Sequence, residues 1–177
     1  MTTRTSTKPP GFQRTQTSSS EYLSFRIGAV EYGIDILKVQ EIRGYEEPTR
    51  IANAPAYLKG VLNLRGVIVP VIDLRVKLAQ TNIGFDTLTV TVILNLAQGP
   101  VGAVVDAVSD VIELAAEQIR PAPAFDDAAA ATHITAIGTI SHGDKERMLI
   151  LLDIEKLMNN TFNTASTAAE QAEPAFA

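Results

Sequence analysis

Between Glu21 and about Asn160 the chain alternates short runs rich in Val, Ile, Leu, Thr and Tyr with Gly, Pro, Asn or Asp every six to twelve residues. That spacing is the pattern of an all-β sandwich or barrel. Hairpins follow from it. Tyr22 to Ile27 and Tyr32 to Ile36 flank a turn holding Gly28, and Val61 to Leu64 and Ile68 to Ile72 flank Arg65-Gly66. Val90 to Leu96 and Val101 to Val105 flank Gln98-Gly99-Pro100, and Ile134 to Ile140 and Met148 to Leu152 flank His142-Gly143-Asp144. Asp73 and Asp153 each end a strand and open a short helical run, LRVKLA and IEKLMN, as N-caps. Pro70 cannot donate to a ladder, so its strand is expected at a sheet edge or bulged there. Parallel strands joined by helices would need crossovers of about a dozen residues, which this pattern does not provide.

The pattern also repeats. Shifted by 69 residues, Tyr22 to Ile42 lies over Thr91 to Val111: Phe25 meets Leu94, Gly33 meets Gly102, Val39 meets Val108, Glu41 meets Asp110 and Ile42 meets Val111. At offsets of 78 and 80, Gly60-Val61-Leu62 meets Gly138-Thr139-Ile140 and Val71-Ile72-Asp73-Leu74 meets Leu151-Leu152-Asp153-Ile154. Two halves of 60 to 70 residues, each of about five strands and a terminal helical turn, predict a pair of small related barrels.

Composition narrows the chemistry. With 177 residues and 46% apolar content the chain can bury a core without staples. It has no Cys, which removes thiol catalysis, disulfides and thiolate metal sites, and only two His. Neither a signal-peptide pattern nor a long charge-free apolar stretch occurs, so a cytoplasmic protein without direct membrane insertion is expected. The net charge of −5 speaks against nucleic-acid binding. It is unevenly spread: residues 1–20 carry +3, residues 162–177 carry −2, and the stretch between carries −6. Residues 1–20 and 161–177 are rich in Thr, Ser, Pro, Ala, Gln and Glu and read as flexible tails around a functional body of residues 21–160.

No phosphate-cradling GxxxxGK[ST] or GxGxxG is present, no HExxH, and no GxSxG elbow for Ser109 or Ser141. The pairs Glu46-Glu47 and Asp126-Asp127 read as hydrated loop acids. The expectation is therefore no catalysis, no metal and no cofactor. What stands out is polar punctuation in apolar strands. Glu41 sits between Val39 and Ile42, and Arg65 at a hairpin tip. Each reads either as ordinary surface or, together, as a charge pair beside an apolar patch with a polar rim, as on a protein-binding surface. Gly60, after Lys59, reads as a turn or a close backbone approach, or as a side-chain-free position that lets a partner helix come near.

YGIDILKVQEIRG (Tyr32 to Gly44), TRIANAPAYLKGVLNLRGVIVPVIDLR (Thr49 to Arg75), VGAVVDAVSDV (Val101 to Val111), EQIRPAP (Glu117 to Pro123) and RMLILLDIEKL (Arg147 to Leu157), in this order, closely resemble the CheW family of bacterial chemotaxis coupling proteins, the enterobacterial type in particular. The resemblance spans Glu21 to Asn160. The sequence departs from the family pattern in the tails and in Thr81 to Asp86.

The resemblance implies a mainly β fold of two SH3-like five-stranded barrels around a shared core, with short helices and no catalysis. It implies two partners, the cytoplasmic tip of transmembrane chemoreceptors and the regulatory domain of the histidine kinase CheA, met at membrane-associated receptor arrays. Carried over by position, the receptor-facing groove comprises Val39, Glu41, Ile42, Lys59, Gly60, Arg65, Val90 and Val108. Phe125 corresponds to a kinase-contact position, with a buried loop anchor as an equal reading. Coupling in a different chemosensory array, such as one controlling pili, is the alternative within the class. A non-catalytic peptide-binding barrel is the alternative outside it, though 6% aromatics and no Trp leave it little material.

Overall fold

A computed structural model describes residues 19–78, 83–123 and 133–159. The tails expected at 1–20 and 161–177 fall almost wholly outside the described residues, and Phe125 lies outside them. The hairpins form where the turn residues place them. Strands β1 (Ser19–Ile27) and β2 (Val30–Asp35) are followed by a 3-10 turn over Ile36–Lys38, then β3 (Val39–Gly44), β4 (Leu58–Leu64) and β5 (Val67–Asp73). Helix α1 (Leu74–Lys77) leads to β6 (Val90–Leu96), β7 (Gly99–Val105) and β8 (Ala107–Ala115). A second 3-10 turn over Ala116–Gln118 precedes β9 (Ile119–Pro121), β10 (Ile134–His142) and β11 (Lys145–Leu152), and a last helix, α2, covers 154–159. Both expected caps form: the Asp73 carboxylate accepts from the Arg75 amide at 3.0 Å and that of Asp153 from the Lys156 amide at 3.1 Å.

The strands make two sheets, β8-β1-β2-β11-β10-β9 and β3-β6-β7-β5-β4. The two expected small barrels are present, and each draws strands from both sequence halves. The leading hairpin of each half, β1–β2 or β6–β7, is inserted into the sheet of the other half. The exchange is symmetric: β1 pairs antiparallel with β8 as β6 does with β3, and β2 pairs parallel with β11 as β7 does with β5. In the parallel pairs Gly33 faces Leu151 and Gly102 faces Val71, which are repeat-equivalent contacts. A Cβ on Gly33 would lie 2.7 Å from Leu149 Cδ2, and one on Gly102 2.9 Å from Thr91 Cγ2. At both positions a neighbouring side chain occupies the space that a Cβ would need.

The exchange decides where the core sits. The largest buried cluster joins Leu23, Phe25 and Ile34 of one inserted hairpin to Val92, Leu94 and Ala103 of the other, with Leu157 and Met158 of the C-terminal helix. Smaller clusters fill each barrel separately, around Leu114, Leu149 and Leu151 in one and Leu62, Val71 and Val104 in the other.

Of the two alternatives for Pro70, the edge strand is not found, since β5 lies between β7 and β4, and an irregularity falls beside it, where the β4 register shifts between Leu58 and Gly60 opposite Ile72 and Val71. The ladder with β7 begins only at Val71, so Pro70 removes no donor from it. The five-stranded sheet closes at its far end through an isolated bridge. Thr49, beyond β3, exchanges two 2.9 Å backbone hydrogen bonds with Val61 of β4.

Candidate functional site

In each strand order one terminal strand is β3 or β8, so each of these has a single neighbour and an open backbone edge. They are also repeat-equivalent. Val39, Glu41 and Ile42 lie on β3 and Val108 on β8, while Val90 opens β6 and pairs with Gly44 at the end of β3. Val39, Val90 and Val108 are half-buried against the same central core, which makes them the flanks of the hydrophobic seam between the sheets. Ile42 is 45% exposed. The repeat was a usable signal for a further member: its equivalent on β8, Val111, is exposed as well.

Glu41 and Arg65 come together. Arg65 and Gly66 both have positive φ, 52° and 87°, in the β4–β5 turn, whose closure is helped by the Gly66 amide donating to Asn63 Oδ1 at 2.9 Å. From that tip Arg65 Nη2 donates to Glu41 Oε2 at 3.0 Å, while Arg43 Nη1 stands 3.6 Å from Glu41 Oε1. The pair ties β3, at one end of the strand order, to the hairpin at the other.

Lys59 and Gly60 fall elsewhere. Lys59 lines a cleft of about 500 Å³ on the five-stranded barrel, together with Tyr45, Arg50 and Phe85. Gly60 is buried, with φ +144°, and a Cβ there would stand 2.1 Å from the Thr49 carbonyl oxygen. Gly60 thus makes a close backbone approach, and the chain approached is its own.

One arginine cluster escaped the sequence reading. Arg147 of β11 donates through Nε to Glu31 Oε2 at 2.6 Å and through Nη2 to Asp110 Oδ1 at 3.0 Å, and it also contacts Glu31 Oε1. The buried Ser24 hydroxyl lies between the two acids, 2.7 Å from Glu31 and 3.0 Å from Asp110. Hydrogen bonding to Arg147 holds both carboxyls below their ordinary values of 4.5 and 3.8, and hydrogen bonding to Glu31 raises the guanidinium in turn. Asp110 is thus committed to a cation.

Depressed carboxylate pKa values stabilise the fold above the unfolded-state values, and that contribution fades as pH falls through about 4 toward the folded ones. Urea titrations of wild type and Arg147→Met at pH 7 are expected to differ by about 1 kcal/mol, modest because Arg147 is partly exposed. The gap is expected to shrink steadily below about pH 4.5. A gap that widens on acidification would contradict the cluster's assigned charges.

Among the described residues no group of three His, Asp or Glu could hold a metal. No described helix is long and apolar enough to cross a membrane. Burial depresses the His133 imidazole, with Lys77 adding to it, and its carbonyl accepts from the Asp153 amide at 2.7 Å. The geometry suits recognition: two open strand edges, an apolar seam, and a clamped acid beside it.

The CheW-like domain family matches residues 21–162. The chemotaxis protein CheW of Klebsiella aerogenes is 58% identical over 145 residues, covering 82% of this chain and 85% of that one. The chemotaxis protein CheW of Treponema pallidum is 33% identical over 144 residues, 79% of this chain and 82% of that one. Among solved structures, the scaffolding protein TtCheW from Thermoanaerobacter tengcongensis superposes with a TM-score of 0.69 at 29% identity, over 80% of this chain and 93% of that one.

Proposed function

This chain belongs to the CheW family of chemotaxis scaffolds, and from that premise we propose that it couples the cytoplasmic tips of chemoreceptors to the histidine kinase CheA without catalysing a reaction itself. The receptor-facing surface is the β3 edge with its seam, formed by Val39, Glu41, Ile42, Val90 and Val108. The observation that carries this is the 3.0 Å Glu41–Arg65 pair. It fixes a carboxylate beside half-buried valines on a strand whose backbone edge is open. Such an edge and an apolar seam with a polar rim can take a helix or an extended segment of a partner. Lys59 extends the surface toward the cleft, and Phe125 is assigned to the kinase side by resemblance. Each contact is modest and gains strength when receptor, adaptor and kinase are arrayed together. The protein acts in the cytoplasm, at the membrane-associated receptor array.

The test is co-sedimentation of the full chain with receptor-containing membranes, with and without the kinase, while autophosphorylation is followed. The protein is expected to pellet with receptor and to raise kinase activity only when receptor is present. Arg65→Glu is expected to weaken pelleting by about tenfold or more with an unchanged circular dichroism spectrum and melting point, because Arg65 is a turn residue in contact with solvent. Pelleting equal to wild type would remove the β3 edge from the interface. Failure of the wild type to join either partner would overturn the coupling role.

A further inference from the structure

The cleft that holds Lys59 has a composition of its own. Its wall is the stacked pair Tyr45 and Phe85, with ring centroids 4.4 Å apart, and apolar side chains of Pro48, Ile51 and Leu58 also line it. At about 500 Å³ it has the size of a ligand pocket and room for one or two large side chains. Its apolar surface is unspent: Ile51 is 46% exposed and Phe85 52%. Phe85 is also held by the buried Arg75 guanidinium, 4.6 Å from its ring centroid, so the wall is preorganised.

The rim is cationic in an otherwise acidic body. Arg50 and Lys59 both line the cleft, with Glu47 the one acid beside them. The Arg50–Glu47 contact is 3.7 Å between side chains that are both mostly exposed, a pair easily given up. Lys59 makes no ion pair among the described residues. β3 runs directly into Tyr45, so a segment lying along the β3 edge arrives at the cleft.

We propose that this cleft is a docking site for a peptide segment of a protein partner, one that inserts a large apolar side chain between Phe85 and Ile51 and offers flanking carboxylates to Lys59 and Arg50. The apolar side chain supplies affinity through burial against a rigid aromatic wall. The carboxylates supply preference, since a basic segment would face the two cations.

The chain has no Trp, so a single Trp in a probe peptide is the only indole present and its emission reports burial. The probe is the acetylated, amidated hexapeptide Asp-Glu-Trp-Leu-Glu-Asp, titrated with the full chain at low salt, against its counterpart Lys-Arg-Trp-Leu-Arg-Lys. The acidic peptide is expected to shift its emission to the blue and to saturate at roughly 10–1,000 μM protein, with the basic one at least about tenfold weaker. Ile51→Asp, a loop substitution checked for folding by circular dichroism, is expected to reduce acidic-peptide affinity about tenfold or more. The double variant Arg50→Glu, Lys59→Glu is expected to reverse the preference between the peptides. No blue shift with wild type, equal shifts from both peptides, or an unchanged titration with Ile51→Asp would each overturn the proposal. Because neither receptor nor kinase is in the assay, its failure is separate from a failure of the coupling role.

Discussion

Arg75→Met is expected to destabilise the fold by about 3–5 kcal/mol, the cost of leaving a buried carboxylate without its cation. Asp73 is 0% and Arg75 1% exposed. Arg75 donates to Asp73 through Nε and Nη2, each at 2.9 Å, and reaches Asp106 Oδ1 at 3.2 Å as well as the Gly84 carbonyl. Burial opposes the guanidinium's charge, and hydrogen bonding and attraction to Asp73 and Asp106 outweigh it, so its pKa is raised. Asp106 passes the linkage on, accepting at 2.7 Å from the Gly28 amide in the β1–β2 turn. One guanidinium thereby ties the end of β5 to the hairpin inserted in the other sheet. The melting point is expected to fall by roughly 10–20 °C. Asp73→Asn combined with Arg75→Met is expected to recover part of the loss, because no buried charge then remains unpaired, although the Asp73 cap is weakened. A single variant within 1 kcal/mol of wild type in urea unfolding would show that the pair contributes nothing net.

The second large effect is expected from Gly60→Ala, again about 3–5 kcal/mol. An L residue at φ +144° is strained by about 1–3 kcal/mol. The new Cβ would also meet a backbone carbonyl, which no rotamer change can move. Relief requires the Thr49 segment to withdraw, opening the bridge to Val61 and its two hydrogen bonds, each worth about 1 kcal/mol. Gly66→Ala isolates the conformational part, since Gly66 also has positive φ, +87°, but nothing lies within 4 Å of its Cβ position. It is expected to cost about 1 kcal/mol. If thermal melts showed Gly60→Ala and Gly66→Ala equally mild while only the former lost receptor binding, Gly60 would belong to the interface and not to barrel closure.

Much of the fold was legible because local chemistry agreed with it. Arg65, Gly66 and Gly143 sit where two-residue hairpin turns need positive φ, and Asp73 and Asp153 have the short side chains that cap a helix. The repeat marked Val39 and Val108, Glu41 and Asp110, and Ile42 and Val111 as equivalents, and all lie on the two open edges. The Glu41–Arg65 pair was legible only as one of two readings, since a separation of 24 residues places no constraint on whether the side chains meet. The Arg147 cluster was not legible at all, because its acids lie 116 and 37 residues away. The cleft escaped for the same reason: Phe85 and Ile51 come from separate loops, in which composition carries no periodic signal.

By itself the sequence determined the strand-turn-strand units, the twofold repeat and the kind of residues at each edge, because turn chemistry, capping and alternation act within a few residues. Only the tertiary structure decided which hairpin joins which sheet. Both arrangements satisfy the same local rules, and the choice rests on packing between distant segments: glycines at 33 and 102 that leave room for neighbouring side chains, and a core that joins both inserted hairpins.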